Sequence, residues 1–386
     1  MDKKLESYCV GCGLCEAIGK AQCKEDKKGF RYPVSGDESW LNQVCPAGGS
    51  QQSRMDFGKI WGRSEAAWYC WSNDEKIRHS ASSGGILTET ASWLLNKHYV
   101  DAVIHVAADP DDPTRTVCCL SHNREELLSH CGSRYAISHP LEILADLDFS
   151  ERYAFIGKPC DVVALKNYMK VNEEIKKSIP YTLSFFCAGL PSVDAQNSLV
   201  DFLGVPKDKL QSLRYRGEGW PGYTIAKDID GETYQTDYNT SWGKILGRDI
   251  MRACRFCLDG IGEAADISCG DAWYLTKDKK PDFTEAEGRN IIFARTKRGK
   301  ELLGEMIQGN AITVSEAPLD ELKFIQRYQM ERRATMVDKI FALKLFRKPA
   351  PDYKLRNLHK YAGEVSLKKH LSVMKGTAAR IIKGKI

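Results

Sequence analysis

Three cysteines near the start of the chain have a spacing that suits metal chemistry. Cys9, Cys12 and Cys15 form the run Cys-Val-Gly-Cys-Gly-Leu-Cys. Three thiolates spaced in this way on a tight loop can point at one iron–sulfur cubane. Gly11 and Gly13 let the backbone approach the sulfur atoms and donate N–H groups to them. The run therefore predicts three ligands of a 4Fe–4S cluster.

The fourth ligand of this cluster is less directly indicated. Bacterial ferredoxins place a fourth Cys three residues after the run, followed by Pro. Gly19 occupies that place here, and the Cys-Pro pair occurs instead at Cys45-Pro46. We assign Cys45 as the fourth ligand, with Cys23 as the competing candidate. A structural zinc site built from four of these five thiols is the alternative interpretation.

A second group of cysteines is scattered in sequence but has a common context. Cys254-Arg-Phe-Cys257 is another C-x-x-C pair, which alone also fits a redox-active, zinc-binding or chance arrangement. Cys160 and Cys187 follow predicted strands at Gly-containing turns, and the strand ends of α/β folds gather at one edge. The four thiols are thus candidates for a second cluster, with Cys269 as a spare. The remaining thiols are expected to be buried and inert, namely Cys70, Cys118, Cys119 and Cys131.

Small residues before a predicted helix indicate an anion site. Ser82, Ser83, Gly84 and Gly85 precede an apolar helix near 84–96, and a helix N-terminus offers free N–H groups and a favourable dipole. The pyrophosphate of a dinucleotide fits there, although a capped tight turn is the alternative. No G-x-G-x-x-G after a strand and no P-loop sequence occurs, so a Rossmann NAD site is not supported.

Further residues suit flavin contacts. Ser133, Arg134 and Tyr135 combine a hydroxyl, a cation and an aromatic ring beside Gly132. Lys158 next to Cys160 can balance charge on a cluster or near a flavin N1. The histidines show no ligand spacing, and no Ser/His/Asp arrangement is visible, so no catalytic residue is assigned.

The order strand, turn, helix recurs along the chain and predicts a mixed α/β core. Strands are expected near 99–107, 152–156 and 182–186, and a hairpin is expected to turn at Asp230-Gly231. We divide the chain into a ferredoxin-like iron–sulfur segment (1–60), a flavin- and cluster-binding catalytic core (61–320) and a basic helical tail (321–386).

Composition limits the class of protein. The 386 residues are 42% hydrophobic and contain no long apolar run or secretion signal. We therefore expect a cytoplasmic globular protein with reduced thiols and no nucleic-acid partner. From Lys323 onward, 17 basic residues stand against four acidic ones, a net +13, which leaves −8 for the rest of a chain whose total is +5. Such a tail predicts a docking surface for an acidic partner or an anionic membrane, or simply a solvated helical segment.

Taken together, the segments resemble the coenzyme-reducing (deazaflavin) hydrogenase/dehydrogenase beta-subunit family, which includes iron–sulfur flavoproteins like hydroxymethyl-chlorophyll reductase. They occur in the family's order between residues 9 and 273. The resemblance is carried by Cys9–Cys15, Ser82–Gly85, Gly157–Cys160, Cys187–Ser192, Cys254–Cys257 and Ala265–Trp273.

This resemblance implies FAD, held in part by the Ser82–Gly85 turn, and one or two 4Fe–4S clusters, of which we predict two. It implies Cys160, Cys187, Cys254 and Cys257 as ligands of the second cluster, demotes Cys269, and adds Asp271 to the cofactor-binding residues. The implied function is an oxidoreductase that passes electrons from a donor such as ferredoxin through the clusters to FAD and a small organic substrate. A deazaflavin-dependent subunit of a larger complex and a non-catalytic electron relay are the alternatives. We also expect a homo-oligomer.

Overall fold

The computed structural model describes residues 1–48 and 55–386. The strands in these residues are β1 (Ala21–Glu25), β2 (Arg31–Gly36), β3 (Ala66–Ser72), β4 (Ala102–Ala108), β5 (Thr116–Ser121), β6 (Tyr153–Gly157), β7 (Tyr181–Phe185), β8 (Leu210–Arg214), β9 (Thr224–Asp228), β10 (Thr233–Thr236), β11 (Ile267–Asp271), β12 (Asn290–Ala294) and β13 (Ile312–Glu316).

The α-helices of the same residues are α1 (Lys3–Ser7), α2 (Leu14–Ala17), α3 (Glu38–Val44), α4 (Glu75–Ser80), α5 (Ile86–Asn96), α6 (Arg124–Ser129), α7 (Pro159–Tyr168), α8 (Glu173–Ser178), α9 (Val193–Leu203), α10 (Arg252–Arg255), α11 (Lys297–Gln308), α12 (Leu319–Ile325), α13 (Arg327–Ala334), α14 (Met336–Leu345), α15 (Leu355–Leu358) and α16 (Leu367–Ile382). Short 3₁₀ turns and one π-helical segment, Asn239–Ile245, join some of them.

An eight-stranded mixed sheet forms the centre of the fold, in the order β13-β3-β12-β11-β7-β6-β4-β5. Strands β4, β6, β7 and β11 are parallel, and β5, β12, β3 and β13 each pair antiparallel with a neighbour. The mixed α/β class predicted from the sequence is confirmed. The hairpin expected at Asp230-Gly231 is also present, as β9 and β10.

Helices cover both faces of this sheet because its strands carry apolar residues on both sides. Val103 and Ile292 pack against α5 and α11 on one face. Ile104 and Phe155 face α7 on the other. One shared core cluster joins Leu5 of the N-terminal segment, Phe293 of the sheet and Ile340 of the tail. The three segments distinguished in the sequence therefore pack against one another.

Four strand ends meet at one edge of the sheet. Asn290 at the start of β12 pairs with both Cys70 of β3 and Asp271 of β11, so the carboxyl ends of β3 and β11 lie at the same edge, on either side of β12. Because β6 and β7 run parallel to β11, their carboxyl ends reach the same edge. The segments that follow β3, β6 and β7 hold Ser82–Gly85, Lys158, Cys160 and Cys187, and Asp271 ends β11.

The N-terminal segment has more regular structure than its many Cys and Gly residues suggest, with an antiparallel hairpin of β1 and β2 followed by α3. Among residues 1–48 and 55–386, no helix is both long and apolar enough to cross a membrane.

Candidate redox site

The first thiol cavity is lined by five cysteines, Cys9, Cys12, Cys15, Cys23 and Cys45. The Cys9–Cys15 loop turns through Gly11 (φ 66°) and Gly13 (φ 86°). A Cβ on Gly13 would come within 2.5 Å of Glu142 Cγ, so the close approach of the loop requires glycine there. The structure thus brings both candidates for the fourth ligand to the same cavity as the three-cysteine run.

The sulfur atoms of this cavity are close together and buried among apolar side chains. Cys15 Sγ lies 4.0 Å from Cys23 Sγ, and the Gly11 N–H donates to Cys9 Sγ at 3.4 Å. Burial raises the pKa of the Cys9 and Cys12 thiols, and the contact with Cys23 together with burial raises the pKa of Cys15. Without metal these three thiols are neutral at pH 7, so metal binding must release their protons.

The second thiol cavity is lined by Cys160, Cys187, Cys254 and Cys257. Cys160 lies in the first turn of α7, Cys187 follows β7, and the C-x-x-C pair spans the end of α10. These four cysteines are the ones whose strand-end and C-x-x-C context suggested convergence, and the structure brings them together. Burial raises the pKa of all four thiols, to about 12 for Cys254 and about 11 for Cys257.

Two cations border the second thiol cavity. Lys158 Nζ lies 2.9 Å from Asp161 Oδ2 and 2.8 Å from Ser138 Oγ. Arg332 of α13 donates from Nη1 to the Cys187 carbonyl at 3.1 Å and from Nη2 to the Ala188 carbonyl at 2.9 Å. The sequence indicated Lys158, whereas Arg332 was counted only in the charge of the tail.

The two cavities are neighbours. Val10 and Pro46 line both of them, so a single layer of side chains separates the two sets of thiols. Among the described residues, no three Cys, His, Asp or Glu side chains are placed to hold a single metal ion. Thiol donors with backbone N–H groups directed at sulfur fit an iron–sulfur cluster at each cavity.

The Ser82–Gly85 turn is fixed by packing against the sheet. Gly85 precedes α5 with φ 75°, as the predicted helix start requires, and a Cβ on Gly84 would lie 2.8 Å from the Cys70 carbonyl oxygen. Ser83 is buried and donates from Oγ to the Arg289 carbonyl at 2.7 Å. Ser82 is the partly exposed member of the turn, and Ser133 binds it through both its N–H and its hydroxyl, each 2.8 Å from Ser82 Oγ.

The other predicted flavin contacts have different surroundings. Arg134 donates to the carbonyls of Leu213 and Pro113 at 2.7 Å each, so its guanidinium holds loops together. The Tyr135 ring lies 4.8 Å from that of Trp242, centre to centre. Asp271 accepts two hydrogen bonds from Arg216, at 2.9 and 2.8 Å, and one from Trp220 Nε1 at 3.1 Å. Sequence reasoning missed Arg216, which faces Tyr135 as well.

Backbone contacts join these loops into one surface at the carboxyl edge of the sheet. The Gly219 N–H donates to the His79 carbonyl at 3.2 Å, and Arg214 donates to the Ser80 carbonyl. Lys158 stands apart from them, beside the second thiol cavity. Cys269 lies in the core near Cys70 and lines neither thiol cavity. The four cysteines expected to be buried and inert also line neither cavity, but only Cys70 is buried, whereas Cys118, Cys119 and Cys131 are half-buried.

Comparison with known proteins gives a consistent family match. Residues 67–145 match the family model for the N-terminal part of the coenzyme F420 hydrogenase/dehydrogenase beta subunit. Residues 150–319 match the model for the C-terminal part of the same beta subunit. Both matches lie in the part of the chain that contains the eight-stranded sheet.

Individual relatives are distant. Coenzyme F420 hydrogenase subunit beta of Methanococcus voltae is 22% identical, over 71% of this chain and 92% of the relative. The chloroplastic 7-hydroxymethyl chlorophyll a reductase of Oryza sativa subsp. japonica is 25% identical, over 79% of this chain and 62% of the relative. A chain in a solved structure of the F420-reducing [NiFe] hydrogenase complex from Methanosarcina barkeri shares the fold, with a TM-score of 0.58 at 21% identity, over 76% of this chain and 98% of that one.

Proposed function

Because this chain belongs to the coenzyme F420 hydrogenase/dehydrogenase beta-subunit family, we propose that it is an iron–sulfur flavoprotein. It passes electrons from a donor through two 4Fe–4S clusters to FAD and on to a small organic substrate. The relatives are hydrogenase, dehydrogenase and reductase proteins, so the chain is an oxidoreductase of the electron-transfer kind.

The observation that carries the proposal is the arrangement of the thiols. Nine cysteines that were candidate ligands from the sequence line two cavities, and Val10 and Pro46 line both cavities. Clusters bound there are neighbours, which suits a short electron path. Cys9, Cys12, Cys15 and Cys45 hold the first cluster, and Cys160, Cys187, Cys254 and Cys257 hold the second.

FAD is assigned to the loops at the carboxyl edge of the sheet. Support comes from Ser82 and Ser133, whose partly exposed hydroxyls stand beside the N-terminus of α5, where N–H groups and the helix dipole favour phosphate. Bound FAD supplies an acceptor of one or two electrons, which links single-electron clusters to two-electron substrate chemistry. The Arg216–Asp271 pair and the Trp220 side chain give this surface a rigid polar wall.

A second candidate function is hydride exchange with the deazaflavin coenzyme F420 inside a larger complex. The names of the relatives favour it, because F420 hydrogenase and F420-dependent formate dehydrogenase beta subunits are among them. The basic tail favours the first candidate instead, since an acidic donor such as ferredoxin is attracted to positive charge.

Anaerobic reduction of the bound flavin by reduced ferredoxin or by reduced F420 tests both candidates, in the holoprotein and in Cys254→Ala. If reduced ferredoxin reduces the flavin of the holoprotein but not that of Cys254→Ala, and the variant still binds FAD, the result supports electron transfer through the clusters. Reduction by F420 that survives this substitution supports the second candidate, because a hydride donor bypasses the clusters. A flavin that neither donor reduces contradicts both.

A further inference from the structure

The net charge of the groups around the two thiol cavities differs in sign. At the second cavity, the cations that act on the thiols are Lys158, Arg255, Arg332 and Lys339, and the carboxylates are Asp161 and Asp259. Four cations against two carboxylates leave positive charge in excess. The structure therefore surrounds these four thiols with a cationic environment.

In the described part of the chain, neither Arg332 nor Lys339 has a carboxylate partner within ion-pair distance, whereas Lys158 pairs with Asp161. Arg332 is buried and donates its N–H groups to the carbonyls of Cys187 and Ala188 and to the Tyr328 hydroxyl. Lys339 Nζ donates to the Arg255 carbonyl at 2.9 Å. Burial first, and then the charges of Arg332 and Arg380, lower the pKa of Lys339 to about 7, so Arg332 is the full positive charge of the two.

The charged groups around the first cavity have a negative net charge. Arg31 lines it, and this cation pairs with two carboxylates, Glu16 at 3.2 Å and Glu142 in closer contact. Asp161 also acts on Cys12 of this cavity. One positive charge against two carboxylates, with Asp161 beyond them, leaves the first cavity anionic.

Hydrogen bonds to sulfur do not offset this difference. Backbone N–H groups of Gly11, Leu14 and Glu16 face Cys9, Cys12 and Cys15 in the first cavity. In the second cavity, N–H groups of Gly189 and Leu190 face Cys187 and Cys254, whereas the Cys257 thiol donates to the Asp259 carbonyl at 3.3 Å. The two cavities differ here by one N–H group, whereas their net charges differ in sign, so nearby charge is the larger contrast.

We infer that the second thiol cavity holds the cluster of higher reduction potential, and that Arg332 sets this order. The order of potentials rests on the proposed two-cluster function. A fixed positive charge favours the reduced, more negative state of a cluster, because the reduced state carries one more negative charge. One electron leaves the first cavity as one arrives in the second, and no bond forms or breaks. Electrons from an external donor protein therefore enter at the first cavity and run downhill towards the second.

Part of the basic tail, which the sequence suggested as a docking surface, thereby has a role inside the protein. Arg332 and Lys339 belong to α13 and α14, and both lie beyond residue 319, where the family match ends. Arg332 acts as a positioning and charge-setting residue, since it contacts the backbone of a ligand and not the substrate.

A potentiometric titration followed by electron paramagnetic resonance of the anaerobic holoprotein tests the inference. We expect two reduction steps, and the step that Cys254→Ala removes has the higher potential. Arg332→Gln moves that step to a more negative potential and leaves the other in place, and Arg332→Lys restores it. Arg327→Gln is the matched control on the same helix, because Arg327 is exposed and pairs with Glu331, and it moves neither step.

Two further variants keep the test decisive if Arg332→Gln loses a cluster. Lys339→Gln lowers the potential of the second step, and Glu142→Gln raises that of the first. A second step that stays in place in both Arg332→Gln and Lys339→Gln, or a reversed order of potentials in the wild type, overturns the inference. A protein with iron for fewer than two clusters overturns the proposed function instead, and iron analysis of the same sample separates the two failures.

Discussion

Cys15 Sγ and Cys23 Sγ lie 4.0 Å apart, so the candidate that the Cys-Pro spacing disfavours is the one seen in contact with the three-cysteine run. Cys45 faces the same cavity from the end of α3, and it acts on Cys9. Without a cluster, this contact between the Cys15 and Cys23 sulfur atoms does not identify a ligand.

The fourth ligand of the first cluster is therefore open to direct test. We predict that Cys45→Ala removes about four irons per chain, the content of one cubane. Cys23→Ala should retain them, because the four proposed ligands, Cys9, Cys12, Cys15 and Cys45, all remain. Iron assay and visible absorption of the two anaerobically purified variants give the answer, and the opposite pattern makes Cys23 the ligand.

The second cluster depends on cysteines from three separate parts of the chain. Cys254→Ala should lose about four irons and keep the first cluster, because the first cavity has its own thiols. Cys269→Ala is the matched control, since Cys269 is buried but lines neither thiol cavity. Equal iron in Cys254→Ala and wild type contradicts the assignment.

The flavin assignment predicts a role for the Ser82–Ser133 pair. Ser133→Ala removes a hydroxyl at the proposed phosphate position and should weaken FAD binding about tenfold, since a hydrogen bond to a charged group contributes about 1.5–3 kcal/mol. Fluorescence titration of the flavin-stripped protein measures this. Ser129→Ala is the control, because the Ser129 hydroxyl is exposed and contacts the Glu126 carbonyl. Equal affinity in the two variants contradicts the assignment.

A buried ion pair fastens the tail to the core. Arg333 contacts Glu263, with side chains only 2% and 1% exposed, and donates to the Ile60 carbonyl at 3.0 Å. Arg333→Leu should lower the free energy of unfolding by about 3–5 kcal/mol, because a buried carboxylate loses its partner. Urea denaturation measures the loss. Arg327→Leu, at an exposed pair, should change it by less than about 1 kcal/mol.

The packing of α14 against α16 should depend on pH. His370 Nδ1 lies 2.7 Å from Asp338 Oδ2, and this hydrogen bond raises the pKa of His370 above its ordinary value. The stabilisation is complete below the unfolded-state pKa of about 6.5 and is lost as pH rises through the higher folded-state pKa. Unfolding measured between pH 6 and 8 should show a decline that His370→Gln abolishes, and an equal decline in both proteins contradicts this account.

Local patterns predicted much of the fold because strand, turn and helix signals are short-range. The start of α9 is an example, since Ser192 Oγ accepts from the Ala195 N–H at 3.1 Å as its N-cap position predicts. Strand β3 (Ala66–Ser72) was not predicted, although it joins β12 and β13 in the sheet.

Contacts between residues that are far apart in the sequence could not be predicted from local patterns. Arg332 meets the Cys187 carbonyl across 145 positions, and Arg216 meets Asp271 across 55. In the sequence, Arg332 was counted only as part of the charge of the tail. No periodic pattern indicates that its helix packs beside a cysteine. The converging thiols could be anticipated because parallel strand ends share an edge, which is a property of topology.

Cofactor analysis of the full chain after anaerobic purification tests the central claim most directly. Two 4Fe–4S clusters and one flavin predict about eight irons and one FAD per chain. Iron for only one cluster, about four per chain or fewer, or no flavin, would contradict the account.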